Sequence, residues 1–448
     1  MKLTILGGGG FRVPLVHRAL LADEGPGRVT DLVLHDLDPA RLRTIGRVLH
    51  EAADASGGAG PRVHLDTDLE SALRGADFVF SAIRVGGLAG RVCDERSALE
   101  RGVLGQETTG AGGVCYGLRT VPVAMRIAET VRRVAPAAYV INFTNPAGMV
   151  TEAMSHVLGD RVVGICDSPV GMFKRVARAL GVPVEQARFD YAGLNHLGWL
   201  RGVLVDGRDR LPDLLSDHQA LLSTEEGRLF GPEWLGSLGA VPNEYLWYWY
   251  YRTDAVAAEQ RAGHTRGEIL LEQQRDFWSA ELREDQSAFA RWDRARLERE
   301  ATYMADSREA AGSGEREQED LDGGGYDRVA LQLMRAIARD EATTLVLNVP
   351  NRGTLHGLDA DAVVEVPCAV DAQGWRPHPA APLDPHAFGL VTTMKAVERT
   401  TIEAALTGSY PAATKALALH PLVGSVSVAR GILDAQLATL PELRAVLG

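Results

Sequence analysis

The chain has 448 residues, 46% apolar and 24% charged, which suits a soluble globular protein and is too long for one ordinary domain. A formal net charge of -12 argues against nucleic acid or a membrane surface as partner, since both present negative charge. No stretch approaches the ~20 apolar residues a bilayer crossing needs, and the chain starts directly on a strand pattern, Leu3-Thr4-Ile5-Leu6, without signal-peptide features. Cys93, Cys115, Cys166 and Cys368 lack CxxC spacing and read as free thiols, so the expected compartment is the cytoplasm.

Short apolar runs open the chain at Leu3–Leu6, Asp31–His35, Val63–Leu65, Phe78–Ile83, Tyr139–Phe143 and Val162–Cys166. Amphipathic stretches separate them at Val13–Ala22, Pro39–Ala53, Leu69–Leu73, Leu118–Val134 and Ala147–Leu158. This alternation predicts βαβ units and an α/β fold, a Rossmann-like doubly wound parallel sheet over residues 1–170. Residues 171–448 read as an α+β domain. Ala187–Val205 is expected to be extended, Thr265–Arg299 a long charged helix, and Asp306–Tyr326 a surface loop. Thr344–Val349 and Ala362–Val370 read as strands and Phe388–Ala405 as a helix.

Gly7-Gly8-Gly9-Gly10 follows the first strand and precedes Phe11, Arg12 and a helix whose Pro14 suits its first turn. Such a turn lets the backbone approach a pyrophosphate at a helix N-terminus, although Arg12 stands where the GxGxxG pattern has its third glycine. The glycines alone are equally compatible with a tight connection. Asp36 ends the second strand, where a carboxylate accepts from ribose hydroxyls and repels a 2′-phosphate, favouring NAD over NADP. It could instead cap the next helix. Cys166 closes the sixth run, at the carboxyl end of the sheet, and His196 follows thirty residues later. A thiolate and an imidazole can hold a divalent ion, but such a pair is more often two core residues.

Several blocks together resemble glycoside hydrolase family 4, the NAD- and metal-dependent glycosidases. They are Gly7–Gly10; Gly86–Arg91 with Asp94-Glu95; Gly105–Gly110; Asn142–Gly148; the Cys166 and His196 motifs; and Pro242–Leu246. They fall in the family's order over nearly the whole chain and look most like the 6-phospho-β-glucosidase branch. The resemblance implies a second domain like that of lactate and malate dehydrogenases. It further implies NAD held around Gly7, Gly9, Gly10, Phe11, Arg12 and Asp36, and a metal ion, Mn2+, on Cys166 and His196. The implied chemistry departs from two-carboxylate glycosidases. The sugar C3 is oxidised by NAD, the C2 proton is removed by a protein base, the aglycone leaves C1, water adds, and C3 is reduced again. No nicotinamide is consumed.

Tyr245 matches the family's base, although it begins an aromatic stripe, Trp247 to Tyr251, that otherwise reads as packing or a subunit interface. Asp167 departs from the asparagine usual in the phospho-β branch and leaves the anomeric preference open; as a catalytic acid it would protonate the leaving oxygen, and it could equally orient the ligand shell or form the turn before Pro169. Arg91 and Arg266 match substrate-facing positions and suit a phosphate. Glu107, Asn145 and Asn195 stand in motif turns suited to sugar hydroxyls. The partner expected is thus a small phosphoglycoside, with the chain as a homodimer or homotetramer. The rivals are an NAD-dependent 2-hydroxyacid dehydrogenase, against which the Cys166/His196 pair argues, and a non-catalytic NAD-sensing module.

Overall fold

A computed structural model of the chain describes residues 1–57, 60–279, 287–313 and 325–448. The six apolar runs form β1 (Lys2–Leu6), β2 (Asp31–His35), β3 (Arg62–Asp66), β4 (Phe78–Ser81), β5 (Tyr139–Asn142) and β6 (Val162–Gly164). They pair in parallel in the order β3-β2-β1-β4-β5-β6, the doubly wound arrangement, with its switch point between β1 and β4. Leu3, Ile5, Leu34 and Phe80 are buried in the main core, and this requirement makes the runs short and apolar.

The sheet continues through the second half. β7 (Ala187–Leu194) and β8 (Leu197–Val205) form a hairpin, flanked by β9 (Arg208–Asp209) and β10 (Val241–Pro242). β11 (Thr343–Pro350), β12 (Val363–Asp371) and β13 (Gly374–Pro377) complete thirteen strands among the described residues. β11 pairs antiparallel with β6 and β12 with β7, so one mixed sheet carries the hairpin back to the carboxyl end of the parallel strands.

Helix boundaries follow local chemistry. Asp38 caps the helix Pro39–Ala55, its carboxylate accepting from Ala40 and Arg41 N–H. The expected helix at Leu118–Val134 starts earlier, at Ala111, because the packing there accepts only glycine: a Cβ on Gly112 would sit 2.4 Å from the Gly105 carbonyl oxygen. The helix Gly87–Leu99 escapes a periodicity reading because charged Arg91, Asp94 and Glu95 are buried within it.

Two expectations change. Thr265–Arg299 is not one helix: Arg266–Ser279 and Ala288–Ala301 are separate, the second started by Ser287, whose hydroxyl accepts from Ala290 N–H. Asp306–Tyr326 is not simply a loop, since Ala305–Ala311 is helical; residues 314–324 lie outside the described residues. The helix expected at Phe388–Ala405 spans Pro385–Thr407. Among the described residues no helix is long and apolar enough to cross a membrane.

Candidate active site

The glycine turn sits at the switch point. Gly7 has φ 80°, and a Cβ there would lie 2.5 Å from the Ala82 carbonyl oxygen that follows β4, so glycine is required. Gly9 N–H donates to Asp36 Oδ2 at 3.0 Å, and Asp38 rather than Asp36 caps the following helix. Asp36 is therefore held beside the turn, half-buried, with its carboxylate at the position suited to a ribose. A cradle that any Cβ would fill, next to a carboxylate at the end of β2, fits a dinucleotide. Phe11 is different: its ring is buried against Phe277 and Trp292, and its carbonyl accepts from Trp292 Nε1 at 2.7 Å. The side chain is core, which leaves only its backbone for a cofactor. Arg12 faces the other way, into a cavity of ≈ 320 Å³, and lies 3.8 Å from Asp167.

Cys166 and His196 meet in that cavity. β6 delivers Cys166 just ahead of the helix Ser168–Ala179, and the β7–β8 hairpin presents His196 at its tip with φ 61°, a left-handed conformation unusual for histidine. His196 Nε2 lies 3.4 Å from Cys166 Sγ. On the other side Nδ1 lies 2.9 Å from the Thr108 hydroxyl, whose own hydrogen goes to Gln106 Oε1 at 3.1 Å. Thr108 thus receives the Nδ1 proton and leaves the Nε2 lone pair facing the sulfur. Burial holds His196 down at about 4, so the imidazole is neutral at ordinary pH. A neutral imidazole and a thiol converging in a cavity fit a divalent ion. Among the described residues no group of three or more His, Cys, Asp or Glu could hold one, so water or substrate oxygen would complete its coordination.

Tyr245 stacks on the His196 ring, with centroids 3.8 Å apart and planes 12° off parallel. Asn243 sets the 3-10 turn Glu244–Leu246 by accepting from Tyr245 N–H. Burial, reinforced by the Glu244 carboxyl, pushes the Tyr245 phenol well above its ordinary value. Trp247 and Tyr248 behind it are buried, and Trp249, Tyr250 and Tyr251 are half-buried against the main core.

Arg91, Asn145, Asp167 and Arg266 all line the same cavity. Arg91 is gripped by Glu95 at 2.7 Å and Glu107 at 2.8 Å, and Glu107 is also 2.7 Å from Arg84. Burial alone would raise the Glu107 carboxyl, but Arg84 and Arg91 pull it down to about 2. Glu107 therefore orients Arg91, and it lines the same cavity as the other expected residues. Arg266 donates to Thr302 Oγ1 at 2.8 Å and to the Arg299 carbonyl at 3.0 Å. Arg299 is lowered to about 10 by burial and by the neighbouring Arg12 and Arg266 guanidiniums.

Asn195 is not in this wall. Its amide donates to Glu365 Oε1 at 2.9 Å, behind the hairpin tip, in a separate small cavity of ≈ 30 Å³. Glu365 itself is wholly buried and also accepts from Asn348 at 3.0 Å and Tyr191 at 3.0 Å. Arg84, Thr108, Arg299, Tyr303 and Glu365 carried no expectation from the sequence. Glu365 was the most findable, being a lone acid in the apolar run Val363-Val364-Glu365-Val366.

A mixed sheet with a glycine cradle at its switch point, and a cysteine–histidine pair in the adjoining cavity, defines a dinucleotide-fold protein with a candidate metal centre. The model of the "Family 4 glycosyl hydrolase" matches residues 2–182, and that of the "Family 4 glycosyl hydrolase C-terminal domain" matches residues 191–423. The chain belongs to this family.

A probable 6-phospho-β-glucosidase of Bacillus subtilis is 32% identical, over 98% of this chain and 96% of its own. The 6-phospho-β-glucosidase of Thermotoga maritima, solved with manganese, NAD+ and glucose-6-phosphate, superposes with a TM-score of 0.81 at 26% identity, covering 99% of both chains. A 6-phospho-α-glucosidase from gut microorganisms, solved with NAD and Mn2+, gives 0.78 at 26% identity, covering 99% of this chain and 98% of that one. Malate dehydrogenase of Plasmodium falciparum shares the fold, at a TM-score of 0.51 and 13% identity over 91% of this chain and 99% of its own.

Proposed function

We propose that this chain hydrolyses the O-glycosidic bond of 6-phosphorylated glucosides, β-linked by preference, with NAD and a divalent ion such as Mn2+ as cofactors. The observation that carries the reading is the stack of Tyr245 on His196 beside Cys166, in a cavity that also holds Arg91, Arg266 and Arg299. When bound, NAD supplies a hydride acceptor and the metal ion a Lewis acid for sugar oxygens.

The chain's residues would divide the remaining work. Gly7, Gly9, Gly10 and Asp36 hold the dinucleotide, and residues 1–170 act as its domain, with residues 171–448 contributing the hairpin and the cavity roof. Cys166 and His196 anchor the metal ion, with Thr108 fixing the imidazole. Tyr245 faces the sugar as the base that takes the C2 proton. Arg91, Arg266 and Arg299 receive the phosphate: burial lowers both Arg266 and Arg299, mutual repulsion adds to it, and a dianion would relieve both effects. The same residues would bind a phosphorylated α-glucoside. Asp167, lining the cavity beside the metal pair, favours that second reading as an acid for the leaving oxygen.

The test is a comparison of four aryl glucosides, α and β, each with and without the 6-phosphate. A kcat/KM highest for the phosphorylated β form, by at least tenfold over either neutral sugar, supports the proposal. Preference for the α form transfers it to the second reading, and preference for a neutral sugar removes the phosphate assignment.

A further inference from the structure

Glu244 and Tyr303 are used by nothing described above, yet they touch the proposed base. The Tyr303 hydroxyl lies 3.0 Å from the Tyr245 hydroxyl and 3.1 Å from Glu244 Oε1. Ser168 donates to the same carboxylate oxygen at 3.0 Å. A hydroxyl carries one hydrogen. With Tyr303 donating to the carboxylate, Tyr245 donates to Tyr303, and the three groups form an unbroken file along the cavity wall, ending at the largely buried Glu244.

The surroundings of Glu244 make it a proton store. The helix Ser168–Ala179 brings Arg175 to 3.8 Å from its Oε2, and Ser168 to its Oε1. The helix Glu225–Phe230 brings Glu225 and Glu226 to the same guanidinium; Glu226 is hydrogen-bonded to it and Glu225 lies 3.5 Å away. The turn after Ala288–Ala301 brings Tyr303. One cation therefore faces three carboxylates in a buried site, and the acid least engaged by it is the one that most readily takes a proton. Burial pushes Glu244 up to about 7 against the pull of Arg175, with Glu225 and Glu226 adding to the rise.

We infer that Tyr303 and Glu244 form a proton relay for Tyr245, in which the C2 proton enters at the Tyr245 oxygen as a proton leaves toward Glu244. This rests on the reading of Tyr245 as the base. The C2–H bond breaks and leaves its electron pair on the sugar, and a new O–H bond forms at Tyr245. The original Tyr245 proton passes to Tyr303, and the Tyr303 proton to the Glu244 carboxylate. Tyr245 gains one proton as it passes one on, so it is not required to ionise. The reverse flow returns the proton to C2 when water has added. Glu244 must start as a carboxylate, so turnover rises with pH through the Glu244 titration near 7.

The test uses Tyr303→Phe, which removes a single oxygen, and Glu244→Gln. Both are assayed with NAD, Mn2+ and an aryl 6-phosphoglucoside deuterated at C2. Expected is a kcat at least tenfold lower in each variant, a larger C2 isotope effect, loss of the rise near pH 7, and unchanged NAD and Mn2+ affinities. The acid–base share of catalysis, about 10²–10⁴-fold, bounds the loss. Where Glu244→Gln fails to fold, because it leaves Arg175 short of a partner, Tyr303→Phe decides alone. Wild-type kcat and an unchanged pH profile in Tyr303→Phe overturn the relay. A wild-type enzyme that neither cleaves with NAD nor exchanges the C2 hydrogen with solvent overturns the reading beneath it.

Discussion

His196 Nε2 faces Cys166 Sγ at 3.4 Å, and Thr108 on the far side of the imidazole fixes which nitrogen carries the proton. The pair is built from two distant parts of the sheet, the end of β6 and the tip of the β7–β8 hairpin. We predict that Cys166→Ser loses tight Mn2+ binding, and with it metal-dependent turnover, while NAD still binds. Thr108→Val, which spares both ligands, should weaken Mn2+ about 10–100-fold, the usual cost of losing a hydrogen bond that orients a ligand. Calorimetric titration of each variant with Mn2+, and separately with NAD, checks both. Wild-type Mn2+ affinity in Cys166→Ser would remove the metal assignment.

The guanidiniums of Arg266 and Arg299 give a second prediction. Replacing either with alanine should raise KM for a 6-phosphoglucoside about tenfold to a hundredfold, the cost of one or more charge-assisted hydrogen bonds at about 1.5–3 kcal/mol each. Hydrolysis of the neutral glucoside should change little. Steady-state kinetics on both sugars separates the two, and an equal loss on both would place the arginines outside the phosphate site.

Stability should also carry a pH signature. His17 is buried, neither ring nitrogen has a hydrogen-bond partner among the described residues, and burial lowers it from 6.5 to about 4. Between those values the unfolded chain binds the proton and the folded one does not. The stability that His17 contributes is therefore full above about 6.5, falls as pH drops toward 4, and changes no further below that. At about 1.4 kcal/mol per pH unit the loss is about 3 kcal/mol. Urea unfolding at pH 7 and pH 4.5 should show a smaller difference in His17→Leu than in the wild type. Equal differences would mean that His17 is not the group that titrates.

Much of the fold is legible in the residues because the inner parallel strands are buried and need short apolar runs, while β3, at the sheet edge, is largely exposed. The glycine turn, Asp36, Cys166 and His196 stand at strand ends, where ligands bind in such sheets, so they are legible as candidates. Their roles came from the order of the motifs and not from spacing, since a cysteine and a histidine thirty residues apart are ambiguous alone. Phe11 misled because the turn around it suggests a cofactor while its ring serves the core. Asn195 misled because its neighbour His196 faces the cavity, and the left-handed turn at His196 accompanies an Asn195 side chain directed back to Glu365. Arg299 stands at the end of the single helix expected over Thr265–Arg299 and Tyr303 just beyond it; both line the cavity in a structure where that stretch forms two helices, Arg266–Ser279 and Ala288–Ala301. Such contacts are made by tertiary packing and leave no local period.

The most direct test of the central claim is to measure nitrophenol release from an aryl 6-phospho-β-glucoside under reducing conditions while recording absorbance from NADH. NAD and Mn2+ are then omitted in turn. The account predicts many turnovers per enzyme that require both additions, with no net NADH accumulating, because the hydride taken from C3 is returned in the same cycle. Cleavage indifferent to NAD would contradict it, as would NADH accumulating in step with product.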